Sequence, residues 1–302
     1  MYEQFYGLTA KPFSLLPDAD FLFLSKRHRR VVNLLEYGVM SEAGFVVISG
    51  EVGAGKTTTI RHFLKKAGTG ATIGLITNPS PALGSLMKWV ALAFDLKARD
   101  GDATTLYDNF VAFLLDQYGR GKRACLIIDE AQNLTPDMLE ELRMLSNVNN
   151  ERDLLLQIVL VGQPELLGTL NRPDLRQFVQ RVAVHCHLTP LDAGETTAYI
   201  RHRLVKAGGR ADLFDNMACA AAHRFSGGVP RLINLLCDQA LVYGYAEETP
   251  RITFATIAEV AHERSRSGLN AFVNVPDILS LPVLKAELEA EMANIVVARE
   301  AS

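Results

Sequence analysis

The chain has 302 residues, of which 48% are hydrophobic and 22% charged, and its formal net charge is −3. This size and apolar content suit one large domain with a smaller one and exclude a disordered protein, while the slight acidity gives no overall attraction to nucleic acid. The four cysteines are scattered without a C-x-x-C pair, and no apolar run approaches the roughly 18 residues of a bilayer-spanning helix, so we expect a soluble protein with reduced thiols.

Residues 1–40 are predicted to form an N-terminal arm and a first helix. The arm, residues 1–25, contains clustered aromatic residues and prolines, which argue against a long helix and against a free tail. We therefore expect an extended arm that packs on the rest of the chain. The helix should run from about Lys26 to Ser41, with Ser25 as its N-cap.

A glycine-rich loop follows the apolar, β-branched run from Phe45 to Ile48 and precedes a helix-like pattern. Residues 50–57 match the phosphate-binding pattern G-x-x-x-x-G-K-[ST]. In that pattern backbone N–H groups and the helix N-terminus point at phosphate oxygens. We predict that Lys56 reaches the β- and γ-phosphates of a nucleoside triphosphate and that Thr57 ligates Mg²⁺. The predicted nucleotide-binding residues are Gly50, Glu51, Val52, Gly53, Ala54, Gly55, Lys56, Thr57 and Thr58.

A buried strand that ends in two carboxylates is the second strong signal. After a strand at Thr72 to Thr77 and two amphipathic helices, around residues 80–94 and 104–118, the apolar run Cys125–Ile128 leads into Asp129 and Glu130. In this context Asp129 is expected to support the metal ion and Glu130 to polarise the attacking water.

Strands alternate with helices as far as residue 190, and helices alone follow. The fourth strand, Leu154 to Val161, ends at Gly162 and Gln163, and the fifth spans Val182 to Leu188. This order predicts an α/β core, residues 41–190, whose parallel sheet is covered by helices on both faces, and then a small all-helical domain, residues 191–267. In the tail, residues 268–302, the apolar residues Leu284, Leu288, Met292 and Val296 recur every four positions, which suits either a partner-binding helix or a solvated one.

His185 and His187 are predicted to share one face of the fifth strand. Two histidines so placed are a candidate metal pair, but no third ligand follows at a suitable spacing. We therefore interpret them as part of a structural strand.

The arrangement favours ATP over GTP. The sequence lacks an N-K-x-D element for reading guanine, and an additional strand separates the phosphate loop from Asp129. With Glu130 directly after the magnesium acid, the pattern is typical of ATPases that activate water with a glutamate. A small-molecule kinase is disfavoured because the helical part trails the sheet.

From about Phe45 to Arg264 the sequence resembles AAA+ ATPases. Gln163 matches the sensor-one position of that class, and Gly228-Val229-Pro230-Arg231 looks like its sensor-two element. The resemblance implies that Gln163 and Arg231 contact the γ-phosphate and that the helical domain is a lid. It also implies that an arginine before the fifth strand, Arg181 in preference to Arg176, enters the site of a neighbouring subunit, so that a homo-oligomeric ring or filament hydrolyses ATP with Mg²⁺.

A closer resemblance extends over residues 2–265. The motifs that carry it begin with Phe5-Tyr6-Gly7-Leu8 and include Asp129-Glu130-Ala131-Gln132-Asn133-Leu134 and Val161-Gly162-Gln163-Pro164-Glu165-Leu166. Together they resemble the general secretion pathway protein A family, and two further motifs, Leu142–Asn147 and Glu36-Tyr37-Gly38, are similar to its subgroup linked to exosortase and exopolysaccharide export loci. The resemblance implies a cytoplasmic ATPase, free or peripheral at the inner membrane, that serves envelope secretion or polymer export through a protein partner. Full-length members continue into a transmembrane helix and a peptidoglycan-binding domain, which this sequence lacks.

Two other interpretations stay open. A DNA-binding regulator of the transposition-ATPase type would share the same core, and the basic cluster Lys26–Arg30 suits phosphate contacts. The acidic net charge and the lack of an added helix-turn-helix or zinc domain disfavour it. A nucleotide-gated scaffold that does not hydrolyse ATP is disfavoured by Glu130.

Overall fold

The computed structural model describes residues 1–16, 18–40, 44–66, 70–80, 84–96, 102–150, 153–268, 271–275 and 277–300. The chain divides into two compact units. The helical unit contains Met1–Ser25, Gly53–Gly55 and Pro190–Ser302, and the sheet unit contains Lys26–Val52 and Lys56–Thr189.

The helices and strands are numbered in chain order. The strands are β1 (Phe45–Gly50), β2 (Ala71–Ile76), β3 (Arg123–Ile128), β4 (Asn149–Asn150), β5 (Asp153–Leu154), β6 (Leu156–Gly162) and β7 (Val182–Leu188). The helices are α1 (Tyr2–Phe5), α2 (Lys26–Met40), α3 (Lys56–Lys66), α4 (Leu86–Ala93), α5 (Ala103–Gly119), α6 (Pro136–Leu145), α7 (Glu165–Leu170), α8 (Arg176–Val179), α9 (Ala193–Lys206), α10 (Asn216–Ser226), α11 (Pro230–Ala246), α12 (Phe254–Arg266) and α13 (Leu281–Glu300).

The sheet unit is built on a five-stranded sheet of order β2-β3-β6-β1-β7, in which every neighbouring pair is parallel. All six residues of β1 and all seven of β6 are buried. Since alternate side chains of a strand point to opposite faces, burial of every residue means that both faces are covered. The predicted parallel sheet with helices is therefore confirmed.

Two predicted elements begin at least two residues later in the chain than expected. The fourth predicted strand begins at Leu156, because the residues before it form a short antiparallel ladder, β4 with β5, and Leu154 is 37% exposed. The helix expected from about residue 80 is described only from Leu86, and residues 81–83 lie outside the described part of the chain.

The N-terminal arm is part of the helical unit. Tyr2, Tyr6, Leu8 and Phe13 are buried in the same apolar core as α9 to α12. The arm packs on the chain as predicted, but it is not extended throughout, because α1 and a 3-10 turn at Ala19–Phe21 interrupt it. Burial of its aromatic side chains explains why this proline-containing segment is ordered without a long helix.

The tail also packs on the helical unit. Leu284 and Leu288 of α13 are 6% and 4% exposed and belong to the core of that unit. This half of the predicted apolar stripe therefore contacts the chain's own helices, and the side chains of Met292 and Val296 lie outside the described part. No helix among the described residues is both long and apolar enough to cross a membrane.

Candidate functional site

The phosphate loop connects β1 to α3. Gly53 and Gly55 have φ angles of +81° and +96°, a left-handed region that glycine enters without steric cost. Lys56 opens α3 and is only 7% exposed. Its Nζ donates to the carbonyl oxygens of Gly50 (2.6 Å) and Glu51 (3.0 Å), and burial lowers its pKa, an effect partly opposed by nearby carboxylates. The ammonium group thus lies inside the curve of the loop.

Thr57 and Asp129 meet at the carboxyl ends of β1 and β3. The Thr57 hydroxyl donates to Asp129 Oδ2 (2.7 Å), and Asp129 Oδ1 accepts the backbone N–H of Glu130 (3.0 Å). Asp129 is 4% exposed, and burial raises its pKa, although both hydrogen bonds act in the opposite direction. One hydroxyl and one carboxylate oxygen side by side are hard oxygen donors, so these residues fit Mg²⁺.

Glu130 lies directly after this pair in an unusual backbone conformation. Its φ and ψ are 54° and 39°, the left-handed region, which costs a residue with a Cβ about 1–2 kcal/mol. Strain of this kind is concentrated at functional sites. Glu130 Oε2 accepts hydrogen bonds from Gln163 Nε2 (3.2 Å) and from Gln132 Nε2 (2.6 Å). The structure therefore brings Glu130 and Gln163 together, as their predicted roles require.

Gln132 is a residue of this site that the sequence did not reveal. Its amide oxygen accepts the backbone N–H of Gln163 (3.0 Å), in addition to the bond from its nitrogen to Glu130. It lies in the motif Asp129–Leu134, which indicates the family but assigns Gln132 no role. A glutamine two positions after an acidic residue does not in general contact that residue. Only the fold could therefore reveal the role of Gln132.

Arg231 and Gly53 meet within the helical unit. The Arg231 backbone N–H donates to the Gly53 carbonyl (3.2 Å), and a Cβ on Gly53 would lie 2.6 Å from Arg231 Cβ. Gly53 is therefore needed for this approach as well as for its backbone angle. Arg231 is exposed in the first turn of α11, which begins at Pro230.

The two candidate finger arginines differ in their surroundings. The Arg181 guanidinium donates to the Arg143 carbonyl (3.4 Å), to Ser146 Oγ (3.0 Å) and to Asn147 Oδ1, all at the end of α6. Arg176 is exposed on α8. Arg181 is thus bound within its own subunit, whereas the Arg176 side chain faces solvent.

The paired histidines of β7 face one buried hydroxyl. Ser49 Oγ, on β1, lies 3.1 Å from His185 Nε2 and 2.9 Å from His187 Nδ1. The two rings do share a strand face, as predicted. Among the described residues no group of three or more His, Cys, Asp or Glu side chains could hold a metal ion.

Comparisons with known proteins indicate the family of this chain. A family model described as an AAA domain matches residues 39–170. The chain is 41% identical over 266 residues to General secretion pathway protein A of Aeromonas hydrophila, a match that covers 88% of this chain and 49% of that protein. The chain therefore spans about half the length of the curated relative it matches.

Similar folds occur among solved structures. Cdc6p from Pyrobaculum aerophilum matches with a TM-score of 0.61 and 17% identity over 82% of this chain and 71% of that chain. The Aeropyrum pernix ORC2 protein matches with a TM-score of 0.59 and 15% identity, over 78% of this chain and 66% of that chain. The Thermotoga maritima RuvB Holliday junction branch migration motor matches with a TM-score of 0.52 and 18% identity, over 79% of this chain and 69% of that chain. At such identities the likeness concerns the fold alone.

The parallel sheet, the phosphate loop and the AAA domain define the chain as an AAA+ P-loop protein. Within that class it belongs to the general secretion pathway protein A family over the residues that match, and the predicted resemblance is confirmed. The narrower link to exopolysaccharide export loci stays a prediction.

Proposed function

We propose that this chain is a Mg²⁺-dependent ATPase that works as a homo-oligomer in envelope secretion or polymer export. The observation that carries the proposal is the hydrogen bond from Thr57 to Asp129, with Glu130 directly after it. These contacts bring the proposed metal-binding oxygens next to the proposed water-activating acid. The secretion role rests on the name of the relative, of which the chain covers about half.

Each residue of the site has a distinct task in this proposal. Lys56 gives up its bonds to the loop carbonyls and binds phosphate oxygens, which accept from an ammonium group more strongly than neutral carbonyls do. Thr57 and Asp129 hold Mg²⁺, which when bound neutralises charge on the β- and γ-phosphates. Glu130 accepts a hydrogen bond from the attacking water, and Gln163 and Arg231 donate to the γ-phosphate.

Two substitutions test the site. Lys56→Ala should abolish ATP binding, because no other side chain of the loop supplies a cation. Glu130→Gln should keep ATP affinity within a few-fold, lower kcat by about 10²- to 10⁴-fold and trap the assembled state. The matched control is Glu287→Gln, the same change on the exposed side of α13. Hydrolysis by Glu130→Gln at the wild-type rate would overturn the assignment of the acid.

Variants of Arg181 and Arg176 test whether the active site needs a neighbouring subunit. A finger at Arg181 would have to break the bonds that this side chain makes to the end of α6, whereas Arg176 is exposed. Arg181 remains the prediction from the family resemblance, and these contacts support Arg176 as the alternative. Each Arg→Ala variant is mixed with Lys56→Ala subunits, and ATP hydrolysis is measured. The variant that lacks the finger should show activity only in the mixture, where its partner supplies the arginine.

A DNA-binding regulator is the second candidate. Arg27, Arg29 and Arg30 are exposed on α2, whereas His28 is buried. An exposed arginine cluster suits nucleic-acid phosphates. The test is the ATPase rate per subunit against protein concentration, with and without duplex DNA. A rate that rises with concentration and ignores DNA supports the secretion-type oligomer, and strong stimulation by DNA would favour the regulator.

A further inference from the structure

The side chain of Gln132 joins the two residues that are proposed to act on the water and on the γ-phosphate. Its amide N–H donates to Glu130 Oε2 at 2.6 Å, and its amide oxygen accepts the Gln163 backbone N–H at 3.0 Å. Glu130 follows β3 and Gln163 follows β6, which are neighbours in the sheet. One amide therefore bridges the ends of two strands at the site.

Gly162 provides the space for this bridge. A Cβ at position 162 would lie 3.1 Å from Gln132 Oε1 and 2.9 Å from Leu166 Cδ2. Both separations are shorter than an ordinary van der Waals contact, so a larger residue there would displace the Gln132 side chain. The lack of a side chain at Gly162 thus leaves room for the Gln132 amide beside the end of β6.

Two hydrogen bonds end on one oxygen of the Glu130 carboxylate. Glu130 Oε2 accepts from Gln132 Nε2 at 2.6 Å and also from Gln163 Nε2 at 3.2 Å. A carboxylate oxygen offers two lone pairs, so both acceptor positions of Oε2 are taken. When the Gln163 amide turns to a γ-phosphate, Oε2 gains an acceptor position for water, in addition to those that the second carboxylate oxygen offers. The second bond, from Gln132, keeps the carboxylate in place.

We propose that Gln132 is a positioning residue. It holds the Glu130 carboxylate while the Gln163 amide moves its hydrogen bond from that carboxylate to the γ-phosphate. The inference rests on the proposed ATPase function. The exchange breaks one hydrogen bond and forms another, so no proton or electron has to be supplied. Gln132 thereby connects recognition of the triphosphate to activation of the water.

The test uses Gln132→Met in the full chain, because methionine has a similar length and volume but cannot form either hydrogen bond. We expect kcat to fall about 10- to 100-fold, as for other misplaced catalytic groups. ADP affinity should stay at the wild-type value, while ATP affinity should fall a few-fold, because Gln163 would leave Glu130 without any donor. Gln4→Met, the same change at an exposed glutamine of α1, should alter neither quantity.

A double-mutant cycle separates positioning from general damage. If Gln132 acts through Glu130, then Gln132→Met should have little further effect on kcat in the Glu130→Gln background. Multiplying effects in the double variant would overturn the proposal, as would equal loss of ATP and ADP affinity in Gln132→Met. If the wild-type protein does not hydrolyse ATP, the proposed function fails. The ratio of ATP to ADP affinity still tests Gln132, and an unchanged ratio would overturn its role.

Discussion

Replacing Asp129 with asparagine should change stability and activity in opposite directions. The carboxylate is 4% exposed, and loss of solvation on burial is the largest influence on its pKa, which it raises. An asparagine of the same shape removes the buried charge. Its amide oxygen can accept the Glu130 N–H, and its NH₂ can donate to the Thr57 hydroxyl, which accepts as readily as it donates.

The magnitude follows from these contacts. Both hydrogen bonds survive in Asp129→Asn, and the cost of burying a charge is removed, so the nucleotide-free variant should be more stable by about 1 kcal/mol. For a chain of this size that raises Tm by on the order of 2–4 °C. The same change removes a charged metal ligand, and kcat should fall by at least about 10²-fold.

The pH dependence gives a second readout of the same group. Because the folded carboxyl binds its proton more tightly than the unfolded one, its contribution to the free energy of unfolding falls as pH rises above the ordinary value of 3.8. The buried Asp129 carboxylate destabilises the folded protein fully at pH values above its raised pKa and has no such effect below the ordinary pKa. Asparagine removes this dependence, so the stability advantage of Asp129→Asn should disappear as pH falls through that window.

The assay is thermal unfolding of nucleotide-free protein from about pH 3 to 8, with steady-state ATPase rates measured on the same proteins at neutral pH. Asp137→Asn, on the first turn of α6, is the control for loss of a negative charge outside the buried site. An Asp129→Asn variant less stable than the wild type at neutral pH would refute the reasoning. It would mean that attraction to Lys56 outweighs desolvation.

Three further predictions concern packing and exposure. Phe13→Ala should cost about 3–5 kcal/mol in urea unfolding, since Phe13 is fully buried against Phe214, whereas Leu16→Ala, at a side chain 79% exposed, should cost less than about 0.5 kcal/mol. Gly228→Ala should destabilise the protein by about 3 kcal/mol or more, because φ is +74° and a Cβ would lie 2.0 Å from a backbone oxygen; equal urea midpoints would contradict this. A thiol reagent at pH 8 should label Cys186 first, because the other three cysteines are buried, and labelling of a second cysteine at the same rate would count against the described core.

Local patterns were enough to predict where the phosphate loop and the two acidic residues lie. The phosphate loop is one continuous stretch, and Asp129 and Glu130 follow one buried strand, so strand, loop and helix propensities determine where these groups are. The parallel sheet was equally predictable, because its buried strands β1 and β6 consist mostly of apolar residues. The short ladder of β4 and β5 was not predictable, because strands of two residues are too short to show a hydrophobic periodicity.

Only the tertiary structure decided how distant groups combine. Gln132 and Gln163 are 31 residues apart, and they meet because β3 and β6 are neighbours in the sheet. The arm shares a core with helices that begin after residue 190, and Ser49 meets two histidines more than 130 residues away. Such contacts depend on strand order and helix packing, which are set by burial over the whole chain and not by any local sequence pattern.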